Sequence, residues 1–175
     1  MNQEERKKCV FLDRDGVLNR DRGDYTYELA DFEILPGVVE ALKLLKEAGF
    51  LIIVITNQAG IAKGRYTKEA VKQCHEYLQQ QCGEVIDALY YAPYHESVTA
   101  SLTRKPNSLM LEKAIAKYKV DVDHAYMVGD QERDLVAAHK AGVRKLILVD
   151  NPASEDSLST HTASDLLTAV KQVIL

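Results

Sequence analysis

The sequence has no run of apolar residues that could cross a bilayer. Its longest, residues 50–55, is far short of the roughly 20 needed. The start, MNQEERKKCVFLD, carries charges but lacks the apolar stretch and small-residue cleavage site of a secretory leader, so none is expected. Cysteine is sparse: Cys9, Cys74 and Cys82 are an odd set that cannot build a disulfide framework. The expected compartment is therefore the reducing cytoplasm. Basic residues do not dominate either. Lys and Arg number 22 against 26 Asp and Glu, for a formal net charge of −4 and a pI near 5.7. With no positive surplus to neutralise a phosphate backbone, nucleic acid is not an expected partner. Repeats, low-complexity tracts and linkers are also missing. What is present is 175 residues, 46% hydrophobic and 27% charged, which reads as one globular domain over residues 1–175.

Short, β-branched-rich apolar runs recur at residues 9–12, 50–55, 85–91, 125–128 and 145–149, each followed by polar residues or glycine. Buried parallel strands read this way. Helical patterns lie between them. One follows Pro36, with Val38, Val39, Leu42, Leu45 and Lys46, and closes at Gly49. Thr67 can cap a helix to about Gln81, and Asn107 or Ser108 a helix bearing Leu111, Ile115 and Tyr118. Residues 131–141 form a fourth helix ending at Gly142, and Thr162 to Asp165 has capping-box spacing before a last one. The alternation predicts an α/β fold: a three-layer, Rossmann-like parallel sheet with helices on both faces and the site at the carboxyl ends of the strands.

Four polar sets fall at those strand ends. Asp13-Arg14-Asp15-Gly16 offers two carboxylates one residue apart, able to attack, move protons and hold a hard cation. Thr56-Asn57-Gln58 offers a hydroxyl and amides. Arg104-Lys105 offers a fork and a point charge. Asp130 and Asp134, one helical turn apart, add two acids. Singly, each has a plain explanation: a turn, a self-capping Thr, a solvated basic pair, a helix start enriched in acids. Together, in the order acids, Thr, Lys, acids and at spacings of 43, 49 and 25 residues, they compose a phosphoryl-transfer site that positions groups and offsets charge.

These residues resemble the four motifs of the haloacid dehalogenase superfamily of phosphohydrolases, over about residues 10–150. FLDRDGVLN, ITNQAGIAKG, RKP and YMVGDQERD further resemble its histidinol-phosphatase-like group. The resemblance implies Asp13 as nucleophile, forming an aspartyl phosphate, and Asp15 as general acid and base. It implies Mg²⁺ held by Asp13, the carbonyl of Asp15, and Asp130, and a phosphoryl group steadied by Thr56 and Lys105. It places the substrate against Asn19, Arg20, Asp21, Arg22, Asn57, Gln58, Ala59 and Arg104, with Asp134 orienting neighbours. The expected activity is a Mg²⁺-dependent phosphomonoester hydrolase of a small sugar phosphate, foremost position 7 of a heptose bisphosphate. Histidinol phosphate or another small ester is the alternative, and a non-catalytic phosphate-binding protein a third reading.

Two departures from the group stand out. Its zinc loop carries Cys-x-His and Cys-x-Cys, where this chain has Ala92-Pro93-Tyr94-His95 and Ser101-Leu102-Thr103. His95 alone cannot make a four-ligand site, and Cys74 and Cys82 do not replace the missing ligands by spacing. No zinc is expected, and the loop should be held by packing of Tyr90, Tyr91 and Tyr94. Gln131, where the group often has Lys, and Asn107-Ser108-Leu109 bear on the choice of sugar. The gaps between motifs leave no room for a cap domain, so the site should be open, roofed by residues 19–31 and 92–103, in a monomer.

Overall fold

The computed structural model describes residues 6–175; the first five, part of the stretch read for a leader, lie outside the described residues. Six strands form one sheet: β1 Lys7–Leu12, β2 Leu51–Asn57, β3 Ala88–Ala92, β4 Val120–Gly129, β5 Lys145–Val149 and β6 His161–Ala163. Their order is β3-β2-β1-β4-β5-β6, and every pairing is parallel. The helices are α1 Val38–Glu47, α2 Lys68–Cys82, α3 Leu109–Tyr118, α4 Glu132–Lys140 and α5 Leu166–Ala169, the last running into a π-helical turn, Val170–Ile174.

The period-2 alternation of side chains explains the layers. Val10 and Leu12 of β1 join Leu42 and Leu45 of α1, Leu78 of α2 and Leu166 of α5 in one core. Cys9 and Phe11 point the other way, into a second core with Leu111 of α3 and Leu135 of α4. Burying each such aliphatic side chain contributes about 1.5–3 kcal/mol, which is why the buried stretch of β1, residues 9–12, carries apolar side chains on both faces. The three-layer prediction holds. Between β1 and β2 the described residues hold a 3₁₀ turn, Leu29–Asp31, and α1; between β2 and β3 they hold α2. No described helix is long and apolar enough to cross a membrane.

Several boundaries differ from the sequence reading. Gly37, at φ +81°, caps α1, so Pro36 stands before the helix rather than in its first turn. Asp165, accepting from the Thr168 amide at 2.8 Å, caps α5 alone, because Thr162 belongs to β6. Ser108 rather than Asn107 stands at the α3 cap, and Thr67 caps α2 as expected. β4 starts five residues earlier than its apolar run, with Val120 paired to Lys7.

Position in the sheet makes the site. From β1 the chain steps outward to β2 and β3, then crosses back to place β4 on the other side of β1. A crevice opens where the direction reverses, at the carboxyl ends of β1 and β4. Asp13 follows β1 and Asp130 follows β4.

Candidate active site

Asp13 is 5% exposed. Its Oδ1 accepts from the Arg14 amide at 2.7 Å and pairs with Lys105 Nζ at 2.9 Å. The Lys105 ammonium also meets Asp134 Oδ1 at 2.7 Å and donates to the Ile55 carbonyl at 2.7 Å. Three donors thus meet three acceptors, which is what a buried ammonium requires. Asn57 sets the position of this lysine by a reciprocal pair: its Oδ1 accepts from the Lys105 amide at 3.0 Å, and its Nδ2 donates to the Lys105 carbonyl at 3.1 Å. Burial pulls the ammonium toward neutrality, but Asp13 and Asp134 together outweigh it and hold the group charged, above the ordinary lysine value.

Asp15 is held by a different set and faces the cleft. Its Oδ1 accepts from Arg14 Nη2 at 2.9 Å and Asn19 Nδ2 at 3.0 Å, and its Oδ2 accepts from Gln58 Nε2 at 3.0 Å. Arg14, 2% exposed, also donates to the Thr26 carbonyl at 2.7 Å. Gly16 has φ +87°, and a Cβ there would run into the Asp130 carboxylate, so the turn that follows Asp15 requires glycine. Thr56, at the end of β2, is buried and accepts from Gln58 Nε2 at 3.0 Å.

Asp13, Asp130 and Asp134 each bring one carboxylate oxygen to within 4.8 Å of the others. Asp134 is committed on both sides, to Lys105 and to the Gln131 amide at the start of α4. Asp130 is not: its Oδ2 accepts from Gln131 Nε2 at 3.1 Å, while Oδ1 is buried without a hydrogen-bond partner among the described residues. Burial, together with Asp134, pushes Asp13 up to about 7 against the pull of Lys105, and burial with Asp13 pushes Asp130 up to about 6. Crowded acids with an orphaned oxygen are an oxygen-donor set suited to a hard divalent cation. Of the expected metal residues, Asp13 and Asp130 share this group; the Asp15 carboxylate is not in it.

Beside Asp15 lies a cleft of about 400 Å³, lined among others by Asp21, Asn57, Gln58, Ala59 and Arg104 of the expected substrate residues. The other three are elsewhere. Asn19 is fully buried and serves Asp15. Arg20 is bound in bidentate fashion by Glu33 at 2.7 and 2.8 Å, and Arg22 by Asp31 at 2.5 Å, both outside the cleft wall. The sequence reading assigned no role to Arg14, Tyr66, His95 or Arg133. The last three line the cleft, and Arg133, exposed, makes no hydrogen bond or ion pair among the described residues. Arg133 lies within the YMVGDQERD motif, where a cation among acids is a signal that could have been read.

Residues 102–169 match the family model described as HAD-hydrolase-like. A D-glycero-beta-D-manno-heptose-1,7-bisphosphate 7-phosphatase from Haemophilus ducreyi is 40% identical over 152 residues, covering 82% of this chain and 83% of that one. The chain belongs to the haloacid dehalogenase (HAD) superfamily of hydrolases. A D-glycero-alpha-D-manno-heptose-1,7-bisphosphate 7-phosphatase from Photorhabdus laumondii is 31% identical over 182 residues, 98% of this chain and 99% of the other. Among solved structures, the D,D-heptose 1,7-bisphosphate phosphatase of B. bronchiseptica, complexed with magnesium and phosphate, superimposes with a TM-score of 0.86 at 28% identity. The match covers 95% of this chain and 98% of that one.

In this HAD chain Tyr90 packs against the core as expected, but Tyr94 does not hold the loop after β3, which is tied by polar bonds. Tyr94 is 43% exposed. The Ala62 amide donates to the Pro93 carbonyl at 3.1 Å, the Leu109 amide to the Leu102 carbonyl at 3.3 Å, and Asn107 Nδ2 to the Ser101 carbonyl at 3.0 Å. His95 is engaged by Ser97 at 2.7 Å.

Proposed function

We propose that this chain removes the phosphate at position 7 of a D-glycero-D-manno-heptose 1,7-bisphosphate through a phosphorylated Asp13. The observation that carries this reading is the division of labour between two aspartates one residue apart. Asp13 is fixed by Lys105 beside the acid cluster, and Asp15 is fixed by Arg14, Asn19 and Gln58 at the cleft. Both hydrogen bonds to Asp13 fall on Oδ1, so Oδ2 is the attacking oxygen. It forms a bond to phosphorus as the bond to the sugar oxygen breaks, and Asp15 gives that oxygen a proton. Asp15 then takes a proton from water as the water attacks the aspartyl phosphate, releasing inorganic phosphate. Thr56 supports the phosphoryl oxygens, while Lys105 offsets charge from where it is anchored.

Asp13, Asp130 and the main-chain carbonyl of Asp15 would hold Mg²⁺, which supplies charge neutralisation at the transferring group. Oxygen-only donors and the unpartnered Asp130 Oδ1 support this choice. A pH dependence follows. Asp13 is raised from 3.8 to about 7 by folding, so the protonated carboxyl favours the folded state. That contribution is complete below pH 3.8 and is lost as pH rises through 7. Above that, crowded anions weaken the metal-free protein. Mg²⁺ is expected to raise the melting temperature more at pH 8 than at pH 5.5, by roughly 2–4 °C for each kcal/mol of binding gained. Melting curves with and without the ion measure it, and an equal rise at both pH values counts against the assignment.

The same reading includes no structural zinc, and a monomer of one domain acting in the cytoplasm on a small sugar phosphate. Arg104 serves the second phosphate. Among the described residues its guanidinium makes one hydrogen bond, to the Tyr94 carbonyl, long at 3.4 Å, so its fork is available to an anion. Arg104→Ala is expected to lower kcat/KM on the bisphosphate about 10–100-fold, and on the 7-monophosphate much less. Equal losses would remove that role. Phosphorus NMR of both anomers of the bisphosphate, with histidinol phosphate alongside, tests the whole reading. Heptose 1-phosphate and inorganic phosphate are the expected products, and preferential turnover of histidinol phosphate would reject it.

A further inference from the structure

We infer that the Tyr66 hydroxyl is a positioning group for proton transfer: it fixes the Gln58 amide with its nitrogen toward Asp15, and so holds that carboxylate in one orientation. The inference rests on the reading of Asp15 as the proton donor. Gln58 is 2% exposed and its amide is fully committed. Nε2 gives one hydrogen to Asp15 Oδ2 and the other to Thr56 Oγ1, both at 3.0 Å, while Oε1 accepts from Tyr66 Oη at 2.7 Å.

A primary amide turned by 180° occupies nearly the same volume, so packing alone does not choose between its two orientations. In the turned state Oε1 would face the Asp15 carboxylate, which can only accept, and Nε2 would face the phenol. The phenol can in general accept as well as donate. Here its hydrogen is given to Gln58 Oε1 at 2.7 Å. Burial raises the phenol well above its ordinary value, so that hydrogen stays in place. Oε1 of Gln58 is the acceptor within reach. A turned amide would strand a buried donor, an expensive arrangement in a low-dielectric site.

The rest of the surroundings serve the same end. A Cβ on Gly60 would occupy the Tyr66 ring, so only glycine admits the ring this close. Tyr27 stacks on the ring at 5.0 Å and Tyr25 meets it edge-on at 5.6 Å. Thr26, between those two, gives its carbonyl to Arg14, which holds the other oxygen of Asp15. Both oxygens of Asp15 are therefore tied to one structure, Oδ1 through Arg14 and Oδ2 through Gln58.

Tyr66→Phe keeps the ring and its stacking and removes only the hydroxyl. Its test is kcat/KM on two esters: the heptose bisphosphate, whose alkoxide must be protonated as it leaves, and p-nitrophenyl phosphate, whose phenolate need not be. The expected result is a loss of about 5–20-fold on the sugar ester and less than about 2-fold on the aryl ester, with KM little changed; the melting temperature should fall by a few degrees, because Gln58 Oε1 loses its buried partner. Equal losses on both, or none, overturn the inference. A second arm places Tyr66→Phe in a Gln58→Leu background, where the relay is already broken. There it should add nothing on the sugar ester, and an additive loss would mean that Tyr66 acts by another route. Asp15→Asn run alongside separates the two readings. If it too fails to distinguish the esters, the proton-donor role itself is at fault; if only Tyr66→Phe fails, that role stands and the tyrosine has no part in it.

Discussion

Replacing Asp13 by asparagine is expected to abolish turnover and leave the fold in place. An amide oxygen is a poor nucleophile toward phosphorus and a weak ligand for a hard cation, so both contributions of this residue vanish together. Loss of a covalent nucleophile costs on the order of 10⁴–10⁶-fold in kcat. The fold should tolerate the change for reasons visible in the site. The Arg14 amide still finds an acceptor in the asparagine oxygen. Lys105 keeps Asp134 and the Ile55 carbonyl. One of three crowded acids is neutralised, so the metal-free variant at pH 8 should melt no lower than the parent. Acid quenching during turnover should trap phosphate on the parent and none on the variant. Substantial hydrolysis by a clean variant preparation would rule out the covalent route.

Asp15→Asn should slow both halves of the reaction without preventing the first. General acid–base help is typically worth about 10²–10⁴-fold, and that range is expected for the sugar ester. An aryl phosphate should still phosphorylate Asp13, because its leaving group needs no proton, and the phosphoenzyme should then accumulate for want of a base. Asparagine keeps an acceptor for Arg14 and Asn19. At the other position its nitrogen would face the Gln58 nitrogen, so some weakening of the turn is expected and the melting temperature must be read alongside. Rapid-quench measurement with both ester types decides the matter: a common loss factor would deny Asp15 its role as an acid.

The sheet was legible because its central strands are buried on both faces, and a two-sided core admits only continuous apolar runs such as residues 50–55. Where that condition lapses, so does the signal. The early part of β4, Val120 to His124, alternates with exposed polar residues and was passed over. β6 is three residues with two exposed, held to β5 by backbone pairing that leaves no mark on composition. The site's chemistry was legible because a phosphoryl-transfer centre needs a few residue types at strand ends, and four sets stood there in order. Which polar residues face the ligand was less so. Arg20 and Arg22 look available in the sequence, yet Glu33 and Asp31 fold back to take them. Gln58 borders the cleft, yet its amide is turned inward to serve Asp15. Arg14, between two aspartates, has no assigned role in the sequence and is a buried clamp. Each of these depends on a contact between side chains distant in sequence or hidden by the turn, which local patterns do not encode.

The place of β1 in the sheet also bears on how the protein is made. β1 is synthesised first, but one of its two neighbours is β4, more than a hundred residues later. At roughly 5–20 residues per second, a ribosome leaves that edge of β1 unpaired for on the order of ten seconds. Over that interval Cys9 and Phe11 have neither their second neighbour nor the covering helices α3 and α4, and the nascent chain offers an open apolar edge. Asp13 has neither Lys105 nor Asp130 for most of that time. Catalytic competence therefore arrives late and all at once, when α4 has emerged and Asp134 closes on the lysine. A chain released before that point carries Asp13 without the lysine and acids that surround it in the folded protein.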